Sequence, residues 1–117
     1  MTDKELLELS AKAAGYVECY WLVGADYINV FDSEKHHYTW NPLADDGDAL
    51  RLAVKLGLDV CIDSRQEREP YTNVVGFYSD SSLEMLQAIE KHGDPYAATR
   101  RAIVRAAAEI GKEADDL

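Results

Sequence analysis

The stretch WNPLADDGDALRLAVKLGL, Trp40 to Leu58, decides how the rest of the chain must be read. Asn41 and Pro42 stop the strand that delivers Trp40, because proline offers no ladder donor and pushes the residue before it towards extended geometry. Asp45, Asp46 and Asp48 follow, a residue type that caps a helix and complements its positive end. Ala49, Leu52, Ala53 and Leu56 then recur at helical spacing, with Arg51 and Lys55 one turn apart on the other face. Gly57 supplies the left-handed stop. The expectation is an amphipathic helix that the preceding elements feed and the following ones pack around.

Upstream, Thr2 to Glu5 has the spacing of a capping box, and Leu6, Leu9 and Ala13 give a short apolar face that Gly15 can end. VECYWL (Val17 to Leu22), YINVF (Tyr27 to Phe31) and HHYTW (His36 to Trp40) are β-branched and aromatic, separated by turn residues. They predict an antiparallel meander that hands Trp40 to the helix. Downstream, LDVCIDS (Leu58 to Ser64) alternates apolar and polar residues, and YTNVVGFY (Tyr71 to Tyr78) is a second strand in which Gly76 marks a bulge. Ser81 to Glu84 repeats the capping-box spacing, and Leu83, Leu86, Ile89 and Glu90 read as a helix that Gly93 ends. Asp94 and Pro95 then open a last, alanine-rich helix that runs from Tyr96 to Ile110 and stops at Gly111. The predicted fold is α/β in the broad, α+β sense: a small antiparallel or mixed sheet packed by helices, in one domain over residues 1–117.

A chain of 117 residues, 47% hydrophobic and 29% charged, is long enough for one core and has no apolar run able to span a bilayer. The opening MTDKELLELS is acidic and periodic rather than basic then apolar, so no signal peptide is read and the protein is expected to stay in the cell that made it. Cys19 and Cys61 lie in strand-like runs without CxxC spacing, which predicts two reduced, buried thiols. A net charge of −10 argues against binding the nucleic-acid backbone; solubility accounts for it first, and a basic partner or mimicry of nucleic acid towards a host protein is the sharper alternative.

The central stretch together with DPYAATRRAIVRAAAEIGK (Asp94 to Lys112) resembles the phage ABA sandwich domain family of short phage and prophage proteins, and TDKELLELSAKAAG (Thr2 to Gly15) resembles the start of such proteins. The three stretches cover a little under half of the chain, and Ser64 to His92 departs most from the pattern. The resemblance implies an α/β/α sandwich and a phage or prophage origin, in the cytoplasm of the host. It implies no activity, since the family is one of unknown function.

No residue pattern specifies a reaction. Asp45, Asp46 and Asp48 are the weak candidates for a metal site, but they lack the spacing of a calcium loop, and helix capping accounts for them. His36 and His37 are adjacent on a strand and face opposite ways, while His92 sits at a helix end. Neither cysteine has a local base, the serines lack a hydrolase elbow, and no glycine-rich phosphate loop occurs. No cofactor and no catalytic residue are therefore assigned.

The aromatics Tyr20, Trp21, Tyr27, Tyr38, Trp40, Tyr71, Phe77 and Tyr78 are many for so small a sheet, and any that face outward form a surface suited to a protein partner or a second copy. The leading reading is a non-catalytic accessory protein that binds a host or phage protein. The other is an oligomeric sponge for a nucleotide-like small molecule, with Trp40 and Tyr38 as its aromatic wall and Arg100 and Arg101, or Arg65 and Arg68, as its cations.

Overall fold

A computed structural model describes residues 1–21, 24, 28–32, 36–64, 69–78 and 84–115, with the backbone alone at 114 and 115. Helix α1 spans Asp3–Ala13, α2 Asp46–Leu56 and α3 Pro95–Asp115. Strands β1 (Glu18–Trp21), β2 (Ile28–Phe31) and β3 (His37–Trp40) form one antiparallel sheet in that order; β4 (Asp59–Asp63), β5 (Tyr71–Phe77) and β6 (Met85–Lys91) form another. The fold is α+β, as expected, with its antiparallel strands divided between two sheets rather than gathered in one.

The capping signals around α1 and α2 work as read. The Thr2 hydroxyl accepts the Glu5 amide at 3.2 Å, and the Asp45 carboxylate accepts the Asp48 amide at 2.8 Å. Gly57 closes α2 at φ +64°, a backbone conformation that side-chain-bearing residues rarely adopt. The meander is present, and its register sets Ile28 opposite both Trp21 and Trp40. Alternation along the strands turns Ile28, Val30 and Trp40 to the core, where Trp40 meets the Tyr16 ring edge-on at 5.5 Å between centroids.

Five expectations are corrected. The organising element is α3, not α2: α1, α2, β5 and β6 all pack on it, and it is buried at nearly every position from Ala102 to Ala108. Alanines there let helices on one side and a sheet on the other approach closely. The predicted helix through Leu86 and Ile89 is strand β6, paired with β5 along its whole length from Tyr71 opposite Lys91 to Phe77 opposite Met85. Its apolar residues fit either period over so short a run; the period of two prevails because it turns Leu86 and Ala88 inward. The capping residues Ser81 and Ser82 assigned to that helix lie outside the described residues.

Gly111 does not end the last helix, which continues to Asp115. A Cβ at Gly111 would overlap the carbonyl oxygen of Leu9 and lie 2.8 Å from its carbon, so glycine here is the condition for α1 to cross α3. Gly76 makes no bulge, because its pairing with Leu86 keeps the register on both sides. A Cβ there would lie 2.6 Å from Leu58 Cδ2, so Gly76 leaves room for the leucine that follows α2.

The two thiols differ where both were expected buried. Cys19 is half-buried and its thiol is pushed up by burial and then by the nearby Glu8 carboxylate, whereas Cys61 is exposed on β4. Thiol titration with an aromatic disulfide is expected to show one fast and one slow group, and Cys61→Ser should remove the fast one. Two equally slow phases would contradict this placement.

Candidate functional site

Three elements leave an apolar groove between them. Leu50 comes from α2, Val60 and Ile62 from β4, and Pro95, Tyr96 and Ile103 from α3; together they line a depression of about 550 Å³. Leu50 is 63%, Ile62 56% and Tyr96 69% exposed, and Val54, one turn beyond Leu50, is also open to solvent. Contiguous exposed apolar side chains of this kind mark interaction surfaces. They border β4, the edge strand of its sheet, beyond which no further strand is present among the described residues.

Charge is placed at the groove margin and is already engaged. Arg100, with 17% of its side chain exposed, donates from Nη1 to Asp46 Oδ1 at 2.6 Å and from Nε to the Leu43 carbonyl at 2.9 Å. It ties α3 to α2 and is the one described cation lining the groove. Arg101 lies elsewhere, contacting Asp3 at 3.1 Å and Glu90 at 3.4 Å, while Arg105 donates to Glu90 at 2.8 Å. These arginines clamp α3 to α1 and β6 by charge-assisted hydrogen bonds.

Tyr38 and Trp40 fall in a different cleft of about 440 Å³, which Tyr16, Asp48, Arg51 and Lys55 also line. Trp40 is buried, and the Tyr38 hydroxyl donates to Asp32 at 3.2 Å. Lys55 Nζ stands 5.4 Å from the Tyr16 ring centroid, in cation–π range. Burial, then the Asp48 carboxylate, holds the Tyr16 hydroxyl above the ordinary tyrosine value. The four predicted ligand residues are thus spread over three places: Trp40 with Tyr38, Arg100 at the groove, and Arg101 across α3. Arg65 and Arg68 lie outside the described residues.

The aspartates at the start of α2 act in three separate ways. Asp45 caps the helix, Asp46 holds Arg100, and Asp48 accepts the Asn41 amide at 3.0 Å and Arg51 at 2.8 Å. Among the described residues no group of three or more His, Cys, Asp or Glu could hold a metal ion. The histidines are dispersed: His36 lies 3.6 Å from Asp32, His37 stacks near Phe31, and His92 shares a 2.7 Å hydrogen bond with Thr72.

An outward aromatic row does exist on the first sheet. Tyr20 lies 5.7 Å from Phe31, and Phe31 5.6 Å from His37. The groove itself was not read from sequence, although a signal was present: Leu50 and Val54 stand four apart, beside the buried stripe and outside it. Searches against protein-family models, curated proteins and solved structures find no match for the chain. No helix among the described residues is long and apolar enough to cross a membrane.

Proposed function

We propose that the chain is a small acidic accessory protein of phage or prophage origin that works without catalysis in the host cytoplasm, by binding a host or phage protein through the groove between α2, β4 and α3. The exposure of Leu50, Ile62 and Tyr96 around one concave surface carries the reading. Each candidate carboxylate and arginine described at that surface has an intramolecular partner, which supports a role in shaping the surface rather than in chemistry. The resemblance of the helical stretches supports the origin.

The test is affinity capture from lysate of the native host with the wild-type chain and with the Leu50→Asp, Tyr96→Asp double variant. Both positions are surface-exposed, so the variant should keep its fold. A specific partner should be retained by the wild type and depleted at least tenfold by the variant. Equal capture by both proteins, or no specific partner, opposes the proposal.

The aromatic cleft favours the second reading, a sponge for a nucleotide-like small molecule. Tyr16 and Tyr38 offer ring faces, and Lys55, whose contact is with the Tyr16 ring, is a cation in the same cleft. A nucleotide panel that raises the melting temperature of the wild type but not of Lys55→Gln would favour it over the first reading. Absence of a shift across the panel would oppose it.

A further inference from the structure

We infer that the outer edge of β4 takes an extended, basic segment of a partner protein as a fourth strand, so that its alternate apolar side chains fill the groove. The inference rests on the protein-binding reading and specifies the kind of partner. Three observations converge on it.

The first is pairing. The sheet order is β4-β5-β6, and β4 pairs with β5 on one side only; among the described residues no strand lies on its other edge. That edge therefore carries backbone donors and acceptors able to extend the ladder.

The second is side-chain direction. Val60 pairs opposite Val74 and Ile62 opposite Thr72, so these residues share the sheet face that α3 covers. A strand added beside β4 sits about 4.8 Å away. It would set every second side chain next to Val60 and Ile62, over the gap bounded by Leu50 and Tyr96. Leu50 and Tyr96 on the helices and Val60 and Ile62 on β4 line one depression, so a further strand beside β4 would lie against all four.

The third is charge. Asp46 is the one acid described in the groove lining, Asp94 is exposed directly before the Pro95 and Tyr96 edge, and Arg100, the one described cation there, is held by Asp46 and Leu43. The whole chain carries −10. A segment with lysine or arginine on its solvent side is attracted and steered towards so acidic a chain, whereas a second copy would bring the same net negative charge against it.

The probe is a set of eight-residue peptides: alternating valine and lysine, alternating valine and glutamate, and a valine–lysine peptide N-methylated at alternate residues to block one hydrogen-bonding edge. Binding is followed by calorimetry and by amide shifts of the labelled protein. The expected result is binding of the plain basic peptide, with shifts centred on Val60 to Ile62. N-methylation, exchange of lysine for glutamate, and the protein variant Ile62→Ser should each weaken it at least tenfold.

Equal binding of the N-methylated peptide overturns strand addition. If that binding is nonetheless lost in Leu50→Asp, the groove reading stands while this inference falls. Equal binding of the acidic peptide overturns the charge assignment, and no binding of the plain basic peptide overturns the inference outright. Failure of the groove reading itself is seen separately, as lysate capture indifferent to Leu50→Asp and Tyr96→Asp.

Discussion

Replacing Gly111 with alanine is expected to destabilise the protein by about 1–3 kcal/mol, the usual scale for forcing extra volume into a close-packed contact. The sign is informative, because alanine in an ordinary helix interior is favoured over glycine by about 1 kcal/mol. At Gly111 that gain is overridden: the new methyl would meet the Leu9 backbone, which cannot rotate aside as a side chain could. The crossing of α1 over α3 would have to open, loosening the contacts of Leu6, Leu7 and Ala11, all buried in the core. Gly93→Ala is the control, since a Cβ there meets nothing within 4 Å. Urea denaturation should show a lower midpoint for Gly111→Ala alone. A neutral or stabilised Gly111→Ala would mean that the helices do not cross at this residue.

Trp40→Ala is expected to have the larger effect, about 3–5 kcal/mol, the range for truncating a buried aromatic. Trp40 is 5% exposed, sits opposite Ile28 in the first sheet and abuts Tyr16. It thereby joins a sheet that touches α3 little to the helical core. Since small domains are stable by about 5–15 kcal/mol, the loss would take a large share of the total. Near-ultraviolet circular dichroism with urea titration should report loss of tertiary signal at a much lower denaturant concentration. A change below about 1 kcal/mol would show that the indole is not an anchor, given the range cited for buried aromatics.

How much of this was legible in the sequence depends on whether the signal was local. Caps, stops and strand alternation are chemistry within a few residues, so Thr2, Asp45, Gly57 and the meander through Trp40 could be read directly. Gly111 and Gly76 were misread because their reason lies in distant backbone or side chains, Leu9 and Leu58, that no window around the glycine contains. The strand β6 was mistaken for a helix because Leu86 and Ile89 satisfy a helical spacing when the pairing with Tyr71 to Phe77 is unseen. The groove was missed for a related reason: Leu50, Ile62 and Tyr96 come from three elements, and each alone is an unremarked surface apolar residue. Arg100 and Arg101, adjacent in sequence, looked like a pair for one ligand, yet one helical step turns them to different neighbours, Asp46 and Asp3.

The account stands on the groove between α2, β4 and α3 being the surface that meets a partner. The most direct measurement places a photo-crosslinking amino acid at position 50, and in a separate protein at position 4 on the exposed face of α1, followed by irradiation in the native host. The account predicts a discrete protein adduct from position 50 that is absent from position 4. Adducts of equal yield from both positions, or none from position 50, would contradict it.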